Sequence, residues 1–199
     1  MSITNKYKNI FKIQLMTKIF LILGLGNPGA LYKNTRHNIG QDFVSWLKEQ
    51  YHAPDWQINK KHFAQLSIYE EQDKENKRII FALPLVFMNE ADKTLQQLNK
   101  YYNIPLENSF IVHDDNDIYV GDFKLSFDCG SAGHKGVESI IKHTRSQKFY
   151  RLRIGIQPQK GQRTKAGDLV LKKFSPEERK IITENFVLMK KAIEDNLEN

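Results

Sequence analysis

A single cysteine, Cys129, stands among the 199 residues, so no disulfide can form within the chain and a reducing compartment fits. Its expected role is that of a plain loop thiol. No apolar run approaches the ~18–20 residues that a membrane span requires. Lysines ahead of Ile19–Leu25 give the outline of a signal sequence, but cleavage there would cut into the loop that carries the candidate chemistry. A cytoplasmic protein is expected. Neither serine nor cysteine occupies a G-x-S-x-G turn, which favours direct attack by water over an acyl-enzyme. Asp114-Asp115-Asn116-Asp117 lacks the glycine and distal glutamate of a calcium loop. A magnesium site stays open there but unsupported, and no metal is expected. Internal repeats and low-complexity segments are also missing.

What is present fits one domain with a substantial core, since 40% of the residues are apolar. The net charge of +7 suggests a polyanionic partner, but Lys6, Lys8 and Lys12 supply three of those charges and only +4 remains without residues 1–15. Residues 1–15 show no period that leads anywhere. They are expected to be a disordered or non-native extension, with Met16 as the natural start and 16–199 as the domain.

The stretch from Ile19 to Gly40 organises the rest. An apolar run ends in Gly24-Leu25-Gly26-Asn27-Pro28-Gly29, followed by Thr35-Arg36-His37-Asn38-Ile39-Gly40. A buried strand that opens into a polar loop sets side chains at the carboxyl edge of a sheet, where open α/β sheets bind ligands. His37 falls there, and Asn38 reads as the N-cap of the helix that follows. The glycines fit the dinucleotide pattern G-x-G-x-x-G. That pattern needs a helix to open at once, yet Pro28 and Ala30–Thr35 intervene. No acidic residue closes a second strand about 20 residues on, as the ribose contact wants. The dinucleotide reading is rejected.

Helical spacing of Phe43, Val44, Trp46, Leu47 and Tyr51 predicts a helix from Asn38 to Tyr51, with Trp46 in the core. Strands are expected over His62–Tyr69 and Arg78–Leu83 as a hairpin, with His62 at a strand edge. Asn89 reads as the cap of a helix to Tyr102, with Leu95, Leu98, Tyr101 and Tyr102 inward. Ser109–His113 is a short strand ending at Asp114. Gly121–Phe127 and Arg151–Gln157 are strands, the second with Arg151 and Arg153 opposite its apolar side. A glycine-rich loop, Asp128–Gly136, leads into a helix through Val137, Ile140 and Ile141. Gln159–Thr164 is a basic loop, and Ser175-Pro176-Glu177-Glu178 carries the cap, proline and box glutamate of a last helix. Interleaved strands and helices indicate an α/β domain.

GLGNPG, Tyr32 and TRHNIG resemble the bacterial peptidyl-tRNA hydrolase family. So do Phe87-Met88-Asn89, His113-Asp114-Asp115, Gly130-Ser131-Ala132-Gly133-His134 and Arg151–Ile156, in the same order. The resemblance covers nearly everything from Thr17 onward. It implies a single α/β domain around a mixed, mostly parallel central sheet flanked by helices, with no cofactor. It also implies hydrolysis of the ester between a peptide and the tRNA 3′ end. On that match His37 is the general base on water and Asp114 its orienting carboxylate. Asn27 and Asn89 match positions that hold the peptide carbonyl, terminal ribose or water, and Tyr32, Phe87 and Met88 complete the substrate-binding set. Lys124 and Arg153 are the candidates for tRNA phosphates, and Arg36 is a structural partner within its motif. The expected partner is the acceptor stem and 3′ end of peptidyl-tRNA, bound by a monomer with no obligate protein partner and no membrane.

Two positions depart from the family pattern. Lys135 stands where G-G-H-N-G would place asparagine, and Ser126 replaces a second basic residue. Lys135 is expected either to take over phosphate or carbonyl binding or to slow the enzyme, and to lower the His37 pKa by its charge. The alternative from another class is an impaired tRNA- or ribosome-binding protein on the same fold. Intact His37, Asp114, Asn27 and Asn89 weigh against it.

Overall fold

The run Lys18–Gly24 buries its last five residues, as a strand covered on both faces must. In the computed structural model, which describes residues 17–71, 76–159 and 164–198, this strand is β1. The others are β2 (Gln57–Asn59), β3 (Ala64–Glu71), β4 (Lys77–Pro84), β5 (Ser109–Tyr119), β6 (Phe123–Phe127) and β7 (Tyr150–Gln157). They form a seven-stranded sheet in the order β2-β3-β4-β1-β5-β7-β6. The central four, β4-β1-β5-β7, run parallel, and β2, β3 and β6 add antiparallel edges. The expected mixed, mostly parallel sheet is the observed one. Residues 1–15 and Lys160–Arg163 of the basic loop lie outside the described residues.

Helices cover both faces, because alternate strand residues are apolar on either side. They are α1 (Ile39–Gln50), α2 (Ala91–Tyr102), α3 (Lys135–Thr144), α4 (Ala166–Leu169), α5 (Pro176–Glu184) and α6 (Phe186–Leu197). Phe20, Ile22, Phe81 and Phe110 pack against Phe43, Leu47, Ile182 and Phe186 of α1, α5 and α6. Leu21, Leu23, Ile80 and Ile111 pack against Leu95, Leu98, Val137 and Ile140 of α2 and α3. Trp46 joins the first core beside Phe43 and Phe186, as its helical phase required.

Several boundaries differ from the sequence reading, each for a local reason. Asn38 makes no cap bond to α1, because its amide is bound to the Asn27 backbone instead. Asn89 is exposed and also caps nothing: a 3-10 turn, Met88–Glu90, precedes α2, whose N-cap is Glu90. β5 does not stop at His113. It continues through the acidic run, paired with β7 as far as Tyr119 and Gln157 across a bulge. Gly155 permits this, since a Cβ there would lie 2.0 Å from the Tyr119 carbonyl oxygen. β3 starts at Ala64, and His62 is buried in the preceding 3-10 turn among Tyr101 and Tyr102, with Tyr101 half-exposed. Arg151 is buried, although its neighbours in the alternation suggested an open face. The chain ends in two helices broken at Asn185, the first opened by the expected capping box at Ser175.

Strand order reverses about β1, which lies between β4 and β5, so a crevice opens at the carboxyl ends of β1 and β5. Close approach of α1 to this crevice depends on glycine. A Cβ on Gly40 would stand 2.3 Å from the Val112 carbonyl oxygen and 2.8 Å from that of Leu25. Gly40→Ala is therefore expected to cost about 1–3 kcal/mol or more, as overpacking against backbone does. Urea unfolding measures this, and a variant as stable as the parent would show that α1 can shift freely.

Candidate active site

β5 delivers Asp114 to the crevice, and two imidazoles meet it there. His37, in the 3-10 turn that leads into α1, places Nδ1 at 2.8 Å from Asp114 Oδ1. His134, at the N-cap of α3, places Nε2 at 3.0 Å from the same oxygen. A carboxylate oxygen only accepts, so both nitrogens donate. The tautomers follow. His37 carries its proton on Nδ1, which leaves Nε2 with a free lone pair. His134 accepts the Val137 N–H on Nδ1 at 3.3 Å, so both of its nitrogens are committed. His134 is thus a brace for Asp114, with no lone pair or proton left to exchange.

Charge and burial act against each other in this cluster. Burial works to lower the His37 pKa, but the charge and hydrogen bond of Asp114 prevail and raise it above 6.5. Burial works to raise Asp114, and the two imidazoles prevail in the other direction, holding the carboxyl well below the usual carboxylate range. His37, Asp114, His134 and Lys135 line a cleft of about 400 Å³, with Asp115 to Asp117 along one side.

The ligand-type atoms of His37, Asp114 and His134 lie within 4.8 Å of one another. The contacts of 2.8 and 3.0 Å are lengths of direct hydrogen bonds. Ligands sharing a tetrahedral zinc ion would stand roughly 3.3 Å apart, from bonds of about 2.0–2.1 Å. The set fits a hydrogen-bonded acid–base cluster better than a metal centre.

Of the remaining candidates Lys135 alone is among the residues that line this cleft, and the others are held elsewhere. Asn27 Oδ1 accepts the Met88 N–H at 2.9 Å, while the Asn27 backbone N–H and C=O are both bound to Asn38 at 2.9 Å. Asn27 therefore fastens the glycine-rich loop to the Phe87–Asn89 segment. Its amide nitrogen is bound to no other described residue. Tyr32 meets Phe87 edge to face at 6.2 Å, Phe87 is half-exposed, and Met88 is buried in the core. Asn89, free of the capping role, is exposed on the same segment. Lys135 is exposed on the first turn of α3 at the cleft with its amine 3.9 Å from Glu138, and the expected lowering of His37 is overturned, since Asp114 raises it. Lys124 and Arg153 are directly opposed on β6 and β7 and share one face. Lys124 is exposed, but Arg153 donates Nε to Asp115 Oδ2 at 2.6 Å.

Arg36 is structural, as expected. It bonds the Ile156 carbonyl at 2.8 Å and Glu178 at 2.6 Å and lies over the Phe174 ring, tying His37's turn to β7 and α5. Cys129 is more than a loose thiol, for its sulfur accepts from Nε and Nη2 of the buried Arg151 at 3.3 and 2.9 Å. Sequence reasoning gave His134 no role. The one local signal for it is its position just before a helical apolar pattern, where a side chain acts as a cap.

The cluster makes a testable statement about His37. By ring NMR its titration midpoint is expected above 6.5 in the parent protein. In Asp114→Asn the charge that raises it is gone while burial remains, so the midpoint is expected to fall below that of the parent. An unchanged midpoint would show that Asp114 does not control the imidazole.

Known proteins resemble this chain in sequence and in fold. A sequence model described as peptidyl-tRNA hydrolase matches residues 21–199. Peptidyl-tRNA hydrolase of Clostridium novyi is 34% identical over 180 residues, covering 90% of this chain and 92% of the relative. That of Mycoplasma capricolum is 37% identical over 179 residues, covering 90% and 93%. The crystal structure of peptidyl-tRNA hydrolase from Acinetobacter baumannii superposes with a TM-score of 0.75 at 32% identity, covering 86% of this chain and 84% of that one. With the sequence match running from Leu21 of β1 through His37, Asp114 and His134 to residue 199, the chain belongs to the peptidyl-tRNA hydrolase family.

Proposed function

We propose that this protein hydrolyses the ester between a peptide and the 3′ end of tRNA, with His37 as general base. The observation that carries this reading is the 2.8 Å bond from His37 Nδ1 to Asp114, which leaves Nε2 unprotonated on a residue that lines the cleft. Water loses a proton to Nε2 as its oxygen attacks the ester carbonyl carbon. The imidazolium that forms is stabilised by the ionised Asp114. Collapse of the tetrahedral intermediate breaks the bond to the ribose oxygen, which takes the proton back from Nε2. Free tRNA and the peptide acid result, and the acid gives its proton to solvent to become the carboxylate.

Asn27 supports this through its amide nitrogen, and Asn89 through a side chain not committed to a helix cap. Both are suited to the carbonyl or ribose because an amide donates and accepts without titrating. An oxyanion donor of this kind is worth about 2.7–4 kcal/mol in other hydrolases. Tyr32 and Phe87, packed edge to face, form the apolar wall for the peptide, while Met88, buried in the core, takes part only through its backbone N–H to Asn27. Lys124 and the nitrogens of Arg153 not bound to Asp115 take acceptor-stem phosphates, with Lys135 as a further cation at the mouth of the cleft. The reaction needs no metal or cofactor in this scheme, and the protein works as a cytoplasmic monomer. A protein that only bound tRNA would have no use for a tautomer-fixed base, so the binding alternative is not favoured.

Release of N-acetyl-aminoacyl groups from tRNA tests the reading. His37→Ala is expected to lose about a hundred- to ten-thousand-fold in kcat/KM, and parent activity is expected to survive EDTA. Lys124→Ala is expected to raise KM and to reduce the salt slope of tRNA binding by about one. A parent protein that binds tRNA yet releases nothing would overturn the hydrolase reading.

A further inference from the structure

Of the buried titratable residues with no part in that scheme, one borders the catalytic cluster directly. His113 lies on β5 immediately before Asp114 and is completely buried. Its Nδ1 is 2.6 Å from the Asp114 carbonyl oxygen and must donate to it. Nε2 is then bare, and it is buried without a partner. A strand position of this kind is usually filled by valine or isoleucine. Leaving a buried ring nitrogen unsatisfied is unfavourable.

The location explains the choice. The His113 ring stands 4.5 Å from that of His134, tilted by 51°. The His134 ring in turn stands 5.3 Å from that of His37. Three imidazoles therefore lie in series, and Asp114 receives hydrogen bonds from the second and third. His113 touches both ends of the His134–Asp114 bond: it packs against the ring of the donor, and it holds the backbone of the acceptor.

We infer that His113 is a positioning residue, which fixes the His134–Asp114 bond from beneath and so sets how Asp114 faces His37. The groups that face it are His134 from the turn before α3, Asp114 on its own strand and Arg151 on β7. Burial lowers its pKa well below 6.5, with His134 and Arg151 acting in the same direction against Asp114. It offers His134 a flat wall and holds the Asp114 carbonyl with its one ring N–H. A phenyl ring would supply the wall but not the hydrogen bond. An aliphatic side chain would supply neither.

The role for His37 implied here rests on the hydrolase reading, so the test reads the histidine cluster both with and without turnover. His113→Phe and His113→Val are compared with the parent protein by His37 ring NMR, by N-acetyl-aminoacyl-tRNA hydrolysis and by thermal unfolding. With His134 loosened, Asp114 Oδ1 keeps one donor and more of its charge acts on His37. The His37 titration midpoint is expected to rise in both variants, further in Val than in Phe. The kcat value is expected to fall on the order of ten- to hundredfold, as for other small misplacements, with KM within about twofold. Variants that unfold at a different temperature but keep the parent's kcat and His37 midpoint would overturn the inference and leave His113 as packing. Shifted midpoints in a protein that shows no turnover at all would contradict the hydrolase reading while supporting the positioning role.

Discussion

One oxygen atom, Asp114 Oδ1, accepts hydrogen bonds from imidazoles delivered by opposite faces of the sheet. His37 comes from the α1 side and His134 from the start of α3. Neither would be placed without the other elements of the fold. A β-strand alternates its side chains, and the buried run of β5 extends to Asp114 and Asp115, past the end of its pairing with β1 and while β7 still flanks it. There a carboxylate is both desolvated and reachable from the segments that open α1 and α3. Desolvation makes the carboxylate costly unless charges or donors answer it. The two histidines answer it, and the same exchange raises the basicity of His37.

Much of the surrounding polar structure serves to keep that meeting point rigid. Asn38 staples the glycine-rich loop through both backbone groups of Asn27, and Asn27 holds the Met88 amide. Arg36 reaches across to β7 and α5. Gly40 lets α1 approach the backbone of β5 and the loop after β1. These are contacts between segments far apart in sequence. They exchange local capping and helix propensity for a fixed geometry at the crevice, as functional sites commonly do.

That exchange marks what the sequence could and could not disclose. Period and composition placed β1, α1, the β3–β4 hairpin, β7 and the capping box at Ser175, because each follows from a pattern within one segment. The caps at Asn38 and Asn89 failed because a short polar side chain can serve a local amide or a distant one, and sequence does not say which. The length of β5 failed because continued pairing depends on Gly155 in another strand. That His37 and Asp114 meet at the sheet edge was readable from strand-end position and motif. The bracing by His134 and the packing of His113 were not, since both are properties of side chains meeting across the sheet. Lys135 was read as a charge acting on His37, whereas its amine faces Glu138.

The central claim is that Asp114 makes His37 a stronger base than a free imidazole and that this base drives ester hydrolysis. The pH dependence of kcat/KM on N-acetyl-aminoacyl-tRNA tests it most directly. The neutral imidazole is the active form, so the rate must rise with pH. The account predicts a single ascending limb of unit slope with its midpoint above 6.5, coinciding with the His37 ring titration. A rate independent of pH through that range, or a limb whose midpoint does not coincide with the ring titration of His37, would contradict it.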